Sequence, residues 1–137
     1  MLHLQCHFGM DSLDWARRGA GVTGVDLSDT AISEAQKLNA EMGLDASFVC
    51  CNVLDTSAHV PGQFDIVFTS YGTIGWLPDL QPWAQVVAEK LKPGGLFYIA
   101  EFHPVVWMFD DEFTRIAYSY ENQEVIITEN QGTYTDR

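Results

Sequence analysis

Apolar residues in this chain come in short runs separated by stretches of helical spacing. Met1 to Gln5 reads as a brief buried strand, followed by a tight loop, Cys6-His7-Phe8-Gly9. The spacing then predicts a helix over 10–18. Leu13 and Ala16 share one face, Trp15 is a candidate to pack beside the strand, and Gly19 suits the C-terminal cap. Val22 to Val25 is a second strand. Ser28 is a good N-cap, with Asp29 complementing the helix dipole. That helix runs to Met42 with Ile32, Ala35, Leu38 and Met42 as its inner stripe, and Gly43 ends it. Strands follow at Ser47 to Cys51 and Asp65 to Thr69, with a loop over 52–63 marked by Pro61 and Gly62. After a polar loop, Ser70 to Asp79, the residues Leu80, Trp83, Val87 and Leu91 mark a helix with Pro82 tolerated in its first turn. Lys92-Pro93-Gly94-Gly95 is a hard turn into a fifth strand, Leu96 to Glu101.

The pattern changes beyond that strand. Phe102 to Glu112 is aromatic-rich and irregular. Arg115 to Tyr120 and Glu124 to Glu129 are expected to pair as an antiparallel hairpin across Glu121-Asn122-Gln123. Strands alternating with helices imply a parallel sheet with right-handed crossovers and helices on both faces. Ligands of such sheets bind at the carboxyl ends of the strands. Strand, loop, helix and a second strand closing on Asp26 is the layout of a nucleotide-type cofactor cradle, with the acid placed to accept from ribose hydroxyls.

Composition narrows the partners. With 137 residues, 47% hydrophobic and 19% charged, the chain suits one globular domain. Its net charge of −12, from 19 acidic and 7 basic residues, argues against nucleic acid and against anionic membranes, since both are held by Lys and Arg. No run is long enough to span a bilayer, and no basic-then-apolar leader opens the chain. Three cysteines, Cys6, Cys50 and Cys51, form no disulfide framework, and a reducing cytoplasm is expected. Nor does Cys6, His7, Cys50 and Cys51 match a zinc spacing, so no metal is expected.

Four motifs resemble the class I S-adenosylmethionine-dependent methyltransferases, particularly bacterial small-molecule methyltransferases. They are Leu2-His3-Leu4-Gln5-Cys6-His7-Phe8-Gly9; Val25-Asp26-Leu27-Ser28 with Ala31-Ile32 and Ala35; Phe64-Asp65-Ile66-Val67-Phe68-Thr69-Ser70; and Leu91-Lys92-Pro93-Gly94-Gly95. The resemblance covers residues 1 to about 104. It implies a Rossmann-like parallel sheet of strand order 3-2-1-4-5, a cofactor-binding core over 1–104, and a C-terminal extension of the same domain over 105–137. It also implies S-adenosyl-L-methionine as cofactor and methyl transfer to a small-molecule acceptor. Gln5, Cys6, His7 and Gly9 would meet the methionine end of the cofactor. Asp26 would take the ribose, Leu27 would flank the adenine, Asn52 and Val53 would meet its edge, and Thr69 and Ser70 would lie near the sulfonium. His3 stands where the family has an acid, and Gln5 and His7 where it has glycines.

Alternatives stay open at several positions. Asp26 also reads as a helix-capping acid, and Asn52 as a turn residue. Glu101 and His103, after the fifth strand, are candidates for a general base, and His103 also reads as a turn residue before Pro104. Tyr71, Trp76 and Trp107 suit a pocket, whereas Trp83 suits the core, and Asp110-Asp111-Glu112 suits a solvated surface. The family's sheet has seven strands and five are placed here. A fragment or reduced member is therefore expected, with strand five as an exposed edge and self-association as a homodimer through it. Two other functions compete: a nicotinamide-dependent oxidoreductase, which calls for a G-x-G-x-x-G loop, and a non-catalytic cofactor-binding or interaction module.

Overall fold

The computed structural model describes residues 1–122 and 124. The chain divides into two compact units, Met1–Glu101 and the remainder from Phe102. The first unit alternates β1 (Leu2–Leu4), α1 (Met10–Arg17), β2 (Thr23–Asp26), α2 (Asp29–Glu41), β3 (Ser47–Cys50), α3 (Thr56–His59), β4 (Phe64–Ser70), α4 (Leu80–Lys90) and β5 (Leu91–Ala100). The five strands form one sheet in the order β3-β2-β1-β4-β5, with every described pairing parallel. The chain winds outward from β1 to β3 and then crosses back to β4. The crevice beyond the carboxyl ends of β1 and β4 is thus the topological switch point.

Each face of the sheet carries its own core. On one, Leu2, Leu4, Val25 and Val67 meet Trp83, Val86 and Val87 of α4, together with Cys51, Val53 and Val60. On the other, Leu13 of α1 and Ile32 and Ala35 of α2 enclose Cys6 and Phe48. Burying each large side chain stabilises the fold by roughly 1.5–3 kcal/mol. The end signals act as the sequence suggests. The Ser28 hydroxyl accepts from the Ala31 N–H, and Gly19 and Gly43 take φ of 93° and 63° just past their helices.

Several details differ from the sequence reading. The expected loop over 52–63 holds a 3-10 turn, Val53–Asp55, and the short helix α3, joined by the Thr56 hydroxyl donating to the Val53 carbonyl. Met42 is 47% exposed, because the inner stripe of α2 ends with Leu38 at the edge of the sheet. Leu91 belongs to β5, which starts as α4 stops. Phe64 pairs with Leu91 and Ile66 with Leu96, so Lys92–Gly95 bulges out of the strand with Gly94 at φ 78°. In the second unit a 3-10 turn covers Pro104–Met108. Arg115 to Tyr120 forms one antiparallel bridge, Phe109 to Ile116, in place of the expected strand. Its expected partner lies outside the described residues except for Glu124. Among the described residues, no helix is long and apolar enough to cross a membrane.

Candidate functional site

The loop between β1 and α1 follows a glycine-type course without the glycines. Gln5, His7 and Gly9 have φ of 56°, 49° and 70°. For a residue with a side chain the left-handed region costs about 1–2 kcal/mol, so something must hold it. The Cys6 N–H donates to the Val25 carbonyl at 2.9 Å and the Gly9 N–H to the Cys6 carbonyl at 2.8 Å. The His7 N–H donates to Asp26 Oδ2 at 2.8 Å. The other carboxylate oxygen, Oδ1, accepts from the Ser28 N–H at 2.9 Å. Asp26 therefore ties the loop to the start of α2. Each carboxylate oxygen accepts about two hydrogen bonds, so Asp26 keeps capacity for ligand hydroxyls.

Beneath the loop lies the Phe48 ring. A Cβ at Gly9 would come within 2.5 Å of Phe48 Cε1 and 3.1 Å of the Ala35 Cβ. One at Gly24 would meet the same ring at 2.8 Å and Cys6 Sγ at 2.9 Å. The ring is thus held between two bare backbones. Gly9 also begins α1 and has no side chain with which to cap it, leaving the first turn of that helix without a side-chain acceptor.

Behind the loop runs a chain of hydrogen bonds that the sequence reading missed. His3 is 2% exposed, and burial pushes its pKa down to about 4, so the ring is neutral near pH 7. Its Nδ1 lies 2.8 Å from Ser12 Oγ and its Nε2 3.3 Å from Ser70 Oγ. The Ser70 hydroxyl donates to Asp11 Oδ2 at 3.1 Å. Its one proton being committed there, Ser70 accepts from His3, which puts the ring proton on Nε2. Nδ1 then accepts from Ser12. Protons thus point one way, from Ser12 through His3 and Ser70 to Asp11. Asp11 lies in the first turn of α1, and its link to Ser70 spans 59 residues and has no local signal.

The other expected site residues fall into distinct positions. Gln5 Nε2 donates to the Thr73 carbonyl at 3.0 Å, while its Oε1 is buried without a partner among the described residues. Cys6, Val53 and Thr69 are buried. Val53 is in the α4-side core, and the Thr69 hydroxyl is occupied by the Leu4 carbonyl and by Thr73, so these positions offer a ligand backbone atoms only. Leu27 is 71% exposed beside the carboxyl end of β2. Asn52 is exposed and caps the 3-10 turn by accepting from the Leu54 N–H, the turn role anticipated for it. Glu101 accepts from the Ile74 N–H at 3.1 Å, fixing the loop after β4. His103, in the second unit, accepts from the Val105 N–H. Trp83 is core, packed edge-on to Phe97; Tyr71, Trp76 and Trp107 are exposed. Asp110 of the acidic run holds Thr114 and Arg115.

Comparison with known proteins bears on this arrangement. A family model described as a methyltransferase domain matches residues 1–95. The ubiquinone biosynthesis O-methyltransferase of Chromobacterium violaceum is 31% identical over 120 residues, spanning 88% of this chain and 47% of the relative. That of Caulobacter vibrioides is 33% identical over 100 residues, 73% of this chain and 39% of its own. Among solved structures, the plantazolicin methyltransferase BamL, in complex with a triazolic desmethylPZN analog and SAH, superposes with a TM-score of 0.68 at 26% identity. That match covers 76% of this chain and 38% of BamL. A methyltransferase from Clostridium acetobutylicum, at 24% identity and a TM-score of 0.65, shares the fold. The chain spans less than half the length of these relatives. The match to the family model nevertheless takes in the switch point and four of the five strands. This chain belongs to the methyltransferase domain family, within the class I S-adenosylmethionine-dependent methyltransferases.

Proposed function

We propose that the chain binds S-adenosylmethionine at the switch point and serves methyl transfer to a small-molecule acceptor. One observation carries the reading: Gln5, His7 and Gly9 keep a left-handed glycine-loop course, latched by the His7 N–H to the acid that ends β2. In this reading Asp26 takes the ribose hydroxyls and Leu27 lies against the adenine. The backbone at Asn52 and Val53 meets the adenine edge. Gln5, Cys6, His7 and Gly9 surround the methionine end, with Thr69 and Ser70 near the sulfonium. The buried Gln5 Oε1, without a partner among the described residues, is an acceptor of the kind such a ligand satisfies. When bound, the cofactor supplies an electrophilic methyl group; the chain aligns donor and acceptor and needs no covalent intermediate. Glu101, at the end of the first unit, is the candidate there to receive the acceptor's proton. The cofactor-binding core is read as residues 1–104 and residues 105–137 as an extension of the same domain; the compactness of Met1–Glu101 supports a core of about that extent. The O-methyltransferase relatives support a small-molecule acceptor.

Calorimetry and thermal shift with S-adenosylmethionine, S-adenosylhomocysteine and NAD test this. Binding of the first two and not of NAD is expected; the reverse sinks the proposal. A second reading, a cofactor-binding module without catalysis, is favoured by the side chains that crowd the loop at Gln5 and His7. It predicts binding with no methyl transfer across phenols, amines and thiols. Free Cys6, Cys50 and Cys51 support a reducing, cytoplasmic setting. The unpaired side of β5 among the described residues, with Leu96 58% and Tyr98 53% exposed, supports homodimerisation through that edge. Light scattering at twice the chain mass is the expected result, and a monomer at high concentration overturns it.

A further inference from the structure

The charged side chains of the first unit are sorted along the strand axis. At the carboxyl edge, Asp11, Asp29, Asp55 and Asp79 each stand at or beside the start of a helix, Asp26 ends β2, and Glu101 directly follows β5. No lysine or arginine of this unit lies there. Arg17 and Arg18 end α1 and pair with Asp14. Lys90 ends α4 and donates to the Val60 carbonyl, and Lys92, in the bulge of β5, pairs with Asp65. Lys37 lies past the middle of α2 and pairs with Glu34. The amino edge, where Glu41, Asp45 and Glu89 add to Asp14 and Asp65, is therefore near balance, whereas the carboxyl edge carries formal charge of one sign.

Helix starts explain part of this sorting. Each carries about half a positive charge, which one acid in the first turn answers. The four residues of α3 add little, and Asp26 and Glu101 belong to strand ends, so about three half-charges face six carboxylates. The excess is negative and meets no lysine or arginine at that edge. A crevice bordered by one sign of charge raises the local concentration of the opposite sign. The two forms of the cofactor differ in this respect. The methyl donor carries one net positive charge through its sulfonium, whereas the demethylated product is a neutral zwitterion.

We propose that the carboxyl edge selects ligands by net charge, with Asp29, Asp55 and Asp79 as specificity-determining residues that act through the field rather than by contact. The edge captures the cationic methyl donor ahead of the neutral product. Methyl transfer then removes the charge that held the ligand, and the spent cofactor leaves more readily. This rests on the reading that the switch point binds S-adenosylmethionine, and adds to it a basis for telling donor from product. No one of the three carboxylates is a binding site. Asp79 caps α4 by accepting from the Gln81 N–H, Asp29 accepts from the Thr30 N–H, and Asp55 makes no side-chain cap. What they share is a sign and a place.

The test is calorimetry on the full chain with S-adenosylmethionine and S-adenosylhomocysteine, in salt from about 0.01 M to about 1 M, over which the Debye length shrinks from about 30 Å to about 3 Å. Affinity for the methyl donor should fall about tenfold, while affinity for the product stays within about twofold. Two unit charges about 10 Å apart in water shift an equilibrium by about twofold. Asp29→Asn, Asp55→Asn and Asp79→Asn together should therefore weaken the donor by about three- to eightfold at low salt and leave the product unchanged. Asparagine caps helices about as well as aspartate, so the charge goes and the caps stay. A control triple at the amino edge, Glu41→Gln, Asp45→Asn and Glu89→Gln, removes the same formal charge and should change either affinity by less than about twofold. If the first triple does not fold by circular dichroism, the salt series on wild type decides alone. Equal salt dependence for the two ligands, or an equal loss of donor affinity in the two triples, overturns the inference while leaving the cofactor reading intact. Failure of wild type to bind either ligand overturns the cofactor reading and this inference together.

Discussion

Replacing Gly9 by alanine isolates the packing beneath the cofactor loop. Two costs arise from the structure. At φ 70° a Cβ is strained by about 1–2 kcal/mol. The new methyl would also stand 2.5 Å from Phe48 Cε1 and 2.8 Å from Cζ, in a core where overpacking costs about 1–3 kcal/mol. Reduced freedom of the unfolded chain returns about 0.4–1 kcal/mol. The net expectation is a loss of about 2–4 kcal/mol in urea unfolding with an unchanged m-value. For 137 residues at about 2.1 cal/mol/K each, 3 kcal/mol is roughly a 10 °C fall in Tm. The decisive arm is the same change in a Phe48→Leu background. There the steric part should vanish and the backbone part remain, giving a favourable coupling of at least about 1 kcal/mol. A loss below about 1 kcal/mol, or one of equal size in both backgrounds, would refute the account of Phe48 as the ring that demands glycine here.

Three further outcomes are expected. His3, neutral in the fold with its pKa pushed down to about 4 from 6.5, binds a proton more readily when unfolded. Stability is full above pH 6.5 and falls as pH drops toward 4, by about 2 kcal/mol between 6.5 and 5. Urea titrations across that range should show the slope, and His3→Gln should reduce it. At position 7, His7→Gly should match or exceed wild-type stability, whereas His7→Val should lose about 1–2 kcal/mol, because a β-branched residue tolerates φ 49° least. Equal melting temperatures for the two would refute a left-handed His7. In native protein a disulfide reagent should modify the exposed Cys50 at once. Cys6, buried with its thiol pushed up to about 12, and buried Cys51, also pushed up, should react only on unfolding.

Local signals carry most of the fold. Ser28, Gly19 and Gly43 mark helix ends through contacts within a few residues, and the strands are short enough for their apolar runs to delimit them. The segment 52–63 reads as loop in the sequence because its helical turns rest on a single side-chain bond, Thr56 to Val53, inside a polar stretch ending at Pro61 and Gly62. Leu91 fits the helical spacing of α4 and equally a strand; only its pairing with Phe64 decides. At the site, Asp26 is legible from its place after β2, but its two backbone partners are not. The His3 relay joins residues 9, 67 and 59 positions apart, so nothing along the chain announces it.

The Phe48 ring has a consequence for how this domain varies. Positions 9, 24 and 48 share one volume, filled from β3 and left bare by the loop and β2. A side chain gained at 9 or 24 needs room given up at 48, and one at 24 needs room at Cys6 as well, so these positions change together rather than singly. Libraries that vary position 9 or 24 alone should lose stability, while one that varies them jointly with 48 should recover part of that loss.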